Sequence, residues 1–349
     1  MATLKDIAQR LDLSITQVSR ALNDHSDVNE ETRSRVKAAA RAMNYQANIS
    51  ARKLVSGRSG MVGLVVPQRT PMDSDGMFLE VVAGLSSQFS GRGMQFVLHM
   101  AEPQEDIVQV YRRLIGKGAL DGFVLVEPQQ DDPRVPFLLQ KGVPFVVHGR
   151  TMDDPPYPYF DIDNHGVARQ ATEYLLARGH RELALINGVQ GRSYVAARDR
   201  GFRDALGLAG LPVRPGRIRY SEMDHAHGLI STIQLFSGEA PYPTAILCGN
   251  VRIAKGVYSA LEALGLSVPH DVSVVAHDDH LPTLRASAFF PALTVTKAPL
   301  RDSFRPLADC LAGAIEGTAL ADLQLVGPHE FIERNSVAAP PGAQRQPRR

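Results

Sequence analysis

The chain has 349 residues, 44% of them hydrophobic, and its 38 Lys plus Arg stand against 37 Asp plus Glu. That length permits more than one domain with sizeable cores, while the lack of any uninterrupted apolar run of membrane-helix length and of a signal-peptide pattern points to the cytoplasm. Two cysteines, Cys248 and Cys310, are too few and too far apart for a disulfide framework or a zinc motif, which fits a reducing compartment.

Thr3 can cap a helix over residues 4–11, with Asp6 at capping-box spacing, and Ser14 can cap a second helix with Gln17 three residues on. Leu4, Ile7, Ala8 and Leu11 repeat at helical spacing, as do Val18, Ala21 and Leu22, so two short helices separated by one tight turn can share an apolar face. This is the helix-turn-helix layout. Asn29 can cap a third helix, with Glu30 and Glu31 favourable in its first turn and Val36, Ala39, Ala40 and Met43 facing inward. Residues 1–60 hold ten Lys plus Arg against six Asp plus Glu, leaving 28 against 31 for the remainder. Only the head is basic, and an excess of that size suits reversible, salt-dependent DNA binding better than permanent packaging.

The stretches LKDIAQRLDLSITQVSRALN, NEETRSRVKAAARAMNY and NISARKL resemble the DNA-binding headpiece of the LacI/GalR family of bacterial repressors. The resemblance implies that the second helix enters the major groove of double-stranded operator DNA, with Ile15, Thr16 and Arg20 reading bases and Ser14 and Asn23 near phosphates. Thr3, Gln17 and Asn29 complete the expected DNA-binding set of the headpiece. The side chains suit base reading, since Arg20 can pair with guanine, Thr16 can bond several bases, and Ile15 can pack on a thymine methyl. Asp12 stands where the family usually has a turn glycine, a position an aspartate tolerates better than most residues. Gln17 replaces the usual threonine and can either complete the capping box or reach an adenine. Residues 48–54 resemble the family's hinge helix, too short to be stable alone because isolated helices below roughly 12–15 residues are marginal in water. By that resemblance Leu54 is the minor-groove wedge, Ala51 permits close helix contact and Arg52 meets phosphate, while Ala47 replaces the family's usual proline.

After Gly60 short apolar runs alternate with stretches long enough for crossover helices. Strands are expected at 61–66, 94–100, 122–126 and 144–148, then at 159–163, 183–187, 217–220, 244–248 and 272–276, which makes two lobes with parallel sheets. A strand near 292–296, a helix near 300–315 and a terminal stretch near 329–332 are consistent with the chain crossing back between lobes. The expected fold is therefore an all-α helix-turn-helix headpiece (1–46), a hinge helix and linker (47–60), an α/β two-lobed effector-binding and dimerisation domain (61–335) and a disordered tail (336–349). The resemblance implies that the α/β part has the type I periplasmic-binding-protein fold, with lobes hinged about a ligand cleft.

Ligands of such sheets bind beyond the carboxyl ends of the strands. The stretches DIDNHGVARQATEYLLARGHRELALI, RDRGFRDAL, PTAILCGN and PHDVSVVAHDD match the family's effector domain, and by that match Arg198, Asp278, Asn250, Asp161 and Arg150 are effector contacts with Phe78 as an apolar wall. For Asp163, Asn164 and Asp279 a helix cap or loop bond is as good an account. The set suits a sugar, whose hydroxyl pairs take bidentate bonds from Asp and Asn and whose apolar face packs on a ring; a purine-like metabolite is the alternative. The family's asparagine-aspartate pair reads Asn250-Val251 here. His277-Asp278-Asp279-His280 offers adjacent metal ligands that diverge at a strand end, so no metal is expected, nor any cofactor or catalytic constellation. A secreted solute-binding protein would carry a signal peptide in place of the headpiece, and a sugar-processing enzyme a paired acid and base. The expectation is a homodimeric repressor on a palindromic operator, controlled by a small ligand acting as inducer or corepressor.

Overall fold

A computed structural model of the chain describes residues 2–22, 25–43, 45, 58–67, 76–238 and 240–342. The chain divides into two units, Met1–Gly60 and Met61–Arg349.

Among the described residues of the first unit are the helices α1 (Leu4–Leu11), α2 (Ile15–Leu22) and α3 (Glu30–Ala42). Local chemistry sets each start. Asp6 N donates to Thr3 Oγ1 at 3.3 Å and Thr3 N donates back to Asp6 Oδ2 at 2.7 Å, the reciprocal box its spacing predicts. Asn29 Oδ1 accepts from Thr32 N at 2.7 Å. Asp12 ends α1 at φ 55°, ψ 49°, so the left-handed turn is made without glycine. Ile7, Ala8, Val18, Ala21, Val36, Ala39 and Ala40 form the small core between the helices. The expected hinge residues Ala47, Ala51, Arg52 and Leu54 lie outside the described residues.

In the second unit the first lobe contains β1 (Met61–Pro67), α4 (Met77–Ser90), β2 (Gln95–Ala101), α5 (Ile107–Gly116), β3 (Gly122–Leu125), α6 (Arg134–Lys141), β4 (Phe145–His148) and β5 (Tyr159–Ile162). The second contains α7 (Asn164–Ala177), β6 (Leu183–Asn187), α8 (Ser193–Leu208), β7 (Ile218–Tyr220), α9 (His225–Phe236), β8 (Ala245–Cys248), α10 (Val251–Ala263), β9 (Ser273–Asp278) and β10 (Thr294–Lys297). The chain then returns to the first lobe as α11 (Phe304–Glu316) and β11 (Gln324–Gly327), and ends on the second as β12 (Glu330–Ile332). The sheets run β11-β5-β4-β3-β1-β2 and β12-β10-β9-β8-β6-β7, all neighbours parallel except the antiparallel pair β10 and β12.

Burial on both faces explains the continuous apolar runs. Along β3, Phe123 and Leu125 pack into one core while Val124 packs into the other, and in β8 Ile246 and Cys248 divide in the same way from Ala245 and Leu247. Crossover helices cover both faces of each sheet, and glycines allow two of them to touch: a Cβ at Gly256 in α10 would clash with the His225 carbonyl oxygen of α9.

Two expectations are corrected. Strand β11 has no counterpart among the strands the sequence predicts; Leu325 and Val326, successive residues on opposite faces, are both exposed, so this edge strand lacks a buried apolar run. The expected disordered tail does not start at residue 336, because Ser336 is fully buried, its Oγ donating to Val274 O at 2.6 Å and accepting from Thr294 N at 2.8 Å. Ala338 O accepts from His180 Nε2 at 2.9 Å. These bonds tie the segment to the second lobe's sheet, and residues 343–349 lie outside the described residues.

Candidate functional site

A cleft of about 730 Å³ opens at the carboxyl ends of both sheets, where the two lobes face each other. Arg150 follows β4, Asp161 lies in β5, Asn164 starts α7 and Arg198 lies on α8, and all four line the cleft. They form one relay: Arg150 Nε donates to Asp161 Oδ2 at 2.9 Å, Asn164 Nδ2 donates to Asp161 Oδ1 at 3.1 Å, and Arg198 Nε donates to Asn164 Oδ1 at 2.9 Å. Arg198 Nη1 also donates to Gly249 O at 2.6 Å, so its fork is fixed by two acceptors and its other N–H groups remain for a ligand. Asn164, for which the sequence alone offers two accounts, is a link in this relay. Its neighbour Asp163 takes the capping role, accepting from Gly166 N at 2.8 Å, and so leaves the Asn164 amide to bridge the lobes.

At the end of β9 the structure places Asp279 on the cleft, where the sequence reading puts Asp278. Asp278 is buried and does not line the cleft; its Oδ1 accepts from His280 N at 2.7 Å. Asp279 lines it instead, beside His277, whose Nε2 lies 3.5 Å from Asp279 Oδ1 and whose Nδ1 lies 3.1 Å from Thr296 Oγ1. Alternation along an extended strand puts residues 277 and 279 on one side and 278 on the other. Burial pushes the His277 imidazole below its ordinary pKa, as does Arg198. Burial also opposes ionisation of Asp279, but His277 and Arg198 outweigh it and hold the carboxyl below its ordinary value. Asn250 lines the cleft while serving as the cap of α10, its Oδ1 accepting from Ile253 N at 2.9 Å and its Nδ2 donating to Met223 O at 3.2 Å. Phe78, half-buried in the first turn of α4, lines the cleft.

One side of the cleft is bridged by groups the sequence did not disclose. Gln130 N donates to Gly191 O at 2.9 Å, Ser193 N to Pro128 O at 3.0 Å, and Arg192 Nη1 to Glu127 O at 2.7 Å. Arg192 and Glu127 also pair through their charges at 3.0 Å. Tyr194, on the same wall, has its hydroxyl pKa pushed up to about 12 by burial, so it stays a neutral donor. Residues 60 or more positions apart meet here, which no local motif announces.

In the headpiece Gln17 completes a capping box: Gln17 N donates to Ser14 Oγ at 3.1 Å and Ser14 N to Gln17 Oε1 at 3.0 Å. Thr3 and Asn29 are likewise engaged as caps. Ile15, although apolar, is 49% exposed, and Thr16 and Arg20 are exposed on the same short helix, with Arg20 3.0 Å from Asp27. An apolar residue held in solvent beside a hydroxyl and a guanidinium suits base-edge reading. Asn23 lies outside the described residues.

Comparison with known proteins agrees with both units. Residues 3–48 match the model of bacterial regulatory proteins of the lacI family, and residues 59–334 match periplasmic binding proteins and the sugar binding domain of the LacI family. The chain is 37% identical over 339 residues to the HTH-type transcriptional regulator AglR of Rhizobium meliloti (strain 1021), covering 97% of this chain and 95% of the relative. It is 33% identical over 343 residues to the HTH-type transcriptional regulator RafR of Escherichia coli, covering 97% and 99%. Among solved structures, a complex of the transcriptional regulator CelR with cellobiose superposes with a TM-score of 0.70 at 29% identity, covering 96% of this chain and all of that one. The lac repressor dimer bound to operator and the anti-inducer ONPF gives 0.77 at 25% identity, covering 97% and 99%.

Proposed function

The chain belongs to the LacI family of bacterial regulatory proteins, and from that premise we propose that it is a homodimeric cytoplasmic repressor released from a palindromic operator by a sugar. The observation that carries the sugar reading is the relay Arg150–Asp161–Asn164–Arg198, a row of donors and acceptors lining a cleft that also presents Phe78. Bidentate groups for hydroxyl pairs and a ring for the apolar sugar face are the pairing such a ligand needs. The cleft binds and signals; it has no role in turnover. In the headpiece Ile15, Thr16 and Arg20 read bases, Ser14 and Asn23 lie against phosphates, and Ala51, Arg52 and Leu54 belong to a hinge helix that forms on the minor groove.

The test begins with operator selection from a random duplex library, followed by fluorescence anisotropy with and without cellobiose, maltose, melibiose, raffinose and hypoxanthine. Two half-sites are expected, with a sugar weakening operator binding by about 5–150-fold, the usual range of allosteric coupling. Arg20→Ala is expected to cost about 1–3 kcal/mol at one base position, and Leu54→Ala to weaken operator binding far more than random-duplex binding. Tightening by the ligand would make it a corepressor; a response to hypoxanthine alone would refute the sugar reading.

A further inference from the structure

Arg20 of the headpiece is a paired cation. Its Nη1 lies 3.0 Å from Asp27 Oδ2, with both side chains half exposed, and Thr16, one helical turn back, shares its face of α2. The turn that supplies Asp27 is ordered by α3. Arg33 Nη2 donates to the carbonyl oxygens of His25 and Val28, both at 3.0 Å, and so brackets residues 26 and 27 from either side. His25 N donates to Arg20 O at 3.1 Å, Val28 N donates to His25 O at 3.2 Å, and Val28 packs on the headpiece core. Arg33 Nη1 is itself held by Glu30 Oε2 at 2.7 Å.

Asp27 is therefore a short carboxylate on a clamped turn, and the contact orders little beyond the Arg20 side chain, which lowers the entropic cost that usually cancels a surface pair. A pair this exposed is still too weak to withhold Arg20 from DNA. What it can decide is which part of the duplex the guanidinium meets. One contact through Nη1 leaves the rest of the five-donor fork for a guanine edge, which presents two acceptors and no formal charge. A phosphate would have to share the fork with the Asp27 carboxylate, two anions on one cation, so backbone contact is penalised where base contact is not. Phosphate neutralisation dominates binding to random sequence, and specificity is the difference between the two affinities.

Resting on the base-reading role of Arg20, we propose that Asp27 is a specificity-determining residue of the headpiece: it orients the Arg20 guanidinium toward a base edge and keeps it off the phosphates of sequences that lack that base. The carboxylate is a repulsive element built against the wrong DNA, and its effect on the right DNA is small because the guanine edge and Asp27 take different donors of the same fork.

Fluorescence anisotropy on the full chain tests the assignment with three duplexes: the operator selected from a random library, that operator changed at the base pair where Arg20→Ala loses preference, and a random duplex, each between about 50 and 200 mM salt. Asp27→Asn is expected to tighten random-duplex binding about three- to tenfold and to steepen its slope of log K against log salt by about one. Discrimination at the Arg20 base pair should fall about tenfold while other positions keep theirs, and Asp27→Glu should restore part of each. Equal tightening on operator and random duplex, with discrimination intact, makes Asp27 a plain surface charge and overturns the proposal, as does no change on any duplex. Equal weakening on all three marks a purely structural role for the turn and overturns it too. If Arg20→Ala alters preference at no base pair, the base-reading role of Arg20 fails and this proposal with it. If Arg20→Ala removes a preference that Asp27→Asn retains, this proposal alone fails.

Discussion

Arg192 and Glu127 stand on opposite lobes, so their contact exists only while the cleft is closed at that side. Two interactions are at stake: the ion pair at 3.0 Å, with side chains 30% and 45% exposed, and the bond from Arg192 Nη1 to the Glu127 carbonyl at 2.7 Å. Partial exposure limits the ion pair to about 0.2–1 kcal/mol, and the charged donor on a carbonyl adds about 1–1.5 kcal/mol after allowance for water access. Arg192→Ala should therefore destabilise the closed arrangement by about 2 kcal/mol, roughly a 30-fold change in the closed-to-open ratio. Glu127→Gln keeps the carbonyl acceptor and removes only the charge, so it should shift the ratio about two- to fivefold. The backbone bonds Gln130 N to Gly191 O and Ser193 N to Pro128 O persist in both variants, which keeps the latch from being abolished.

Small-angle scattering of the ligand-free protein reads the closed fraction, and calorimetry reads effector affinity, which falls in proportion to that fraction. A larger radius of gyration for Arg192→Ala, an intermediate one for Glu127→Gln and a non-additive double variant are expected. Arg192 also lines the cleft, so a direct ligand contact would lower affinity with no change in scattering. Unaltered scattering in both single variants would refute the latch and leave closure to the backbone bonds.

Three further outcomes are expected. Arg198→Lys, whose single ammonium cannot span Asn164 Oδ1 and Gly249 O as the guanidinium does, should weaken effector binding about 10- to 100-fold by calorimetry, the loss of charged bonds worth about 1.5–3 kcal/mol. Burial lowers the pKa of His148, His180, His227 and His277; below about pH 6.5 the unfolded chain takes up protons that the folded one refuses. Stability is therefore full above that pH and falls below it, by up to about 1.4 kcal/mol per pH unit for each such histidine, and urea titrations between about pH 7 and pH 5 should show it. The depressed carboxyls Asp132 and Asp279 stabilise the fold above their ordinary value of 3.8 and lose that effect only below it, outside this window. Gly256→Ala should separate α9 from α10 at an overpacking cost of about 1–3 kcal/mol, partly offset by better helix propensity, and calorimetric scans should show Tm roughly 2–6 °C lower.

What was legible in the sequence was decided locally. The boxes Thr3–Asp6 and Ser14–Gln17 need only three-residue spacing, and strands such as β6 and β8, buried at every residue, announce themselves by composition. What was hidden depends on pairing between distant segments. β11 becomes a strand only because Gln324 to Gly327 align with Tyr159 to Ile162, and Glu127 finds Arg192 only once both lobes exist. Asp278 and Asp279 fall between the two cases: adjacent carboxylates are visible in the sequence, but which one enters the cleft depends on strand register, and a shift of one residue exchanges their faces.

The same distinction bears on how the cleft can signal. Asp161 is the second-to-last named residue of its strand, Asn164 opens the next lobe's first helix, and the chain between them is one of the connections between lobes. The relay that faces the ligand thus straddles a hinge: Arg150 and Asp161 belong to one lobe, Asn164 and Arg198 to the other. A sugar hydroxyl that competes for Asp161 must weaken either its bond to Arg150 within the lobe or its bond to Asn164 across the hinge. Only the second changes the balance between lobe arrangements, because a ligand shifts such an equilibrium solely through its differential affinity for the two states. The Asn164 bridge is therefore where ligand identity can be converted into lobe geometry, and linkage requires that operator DNA alter sugar affinity by the same factor that sugar alters operator affinity.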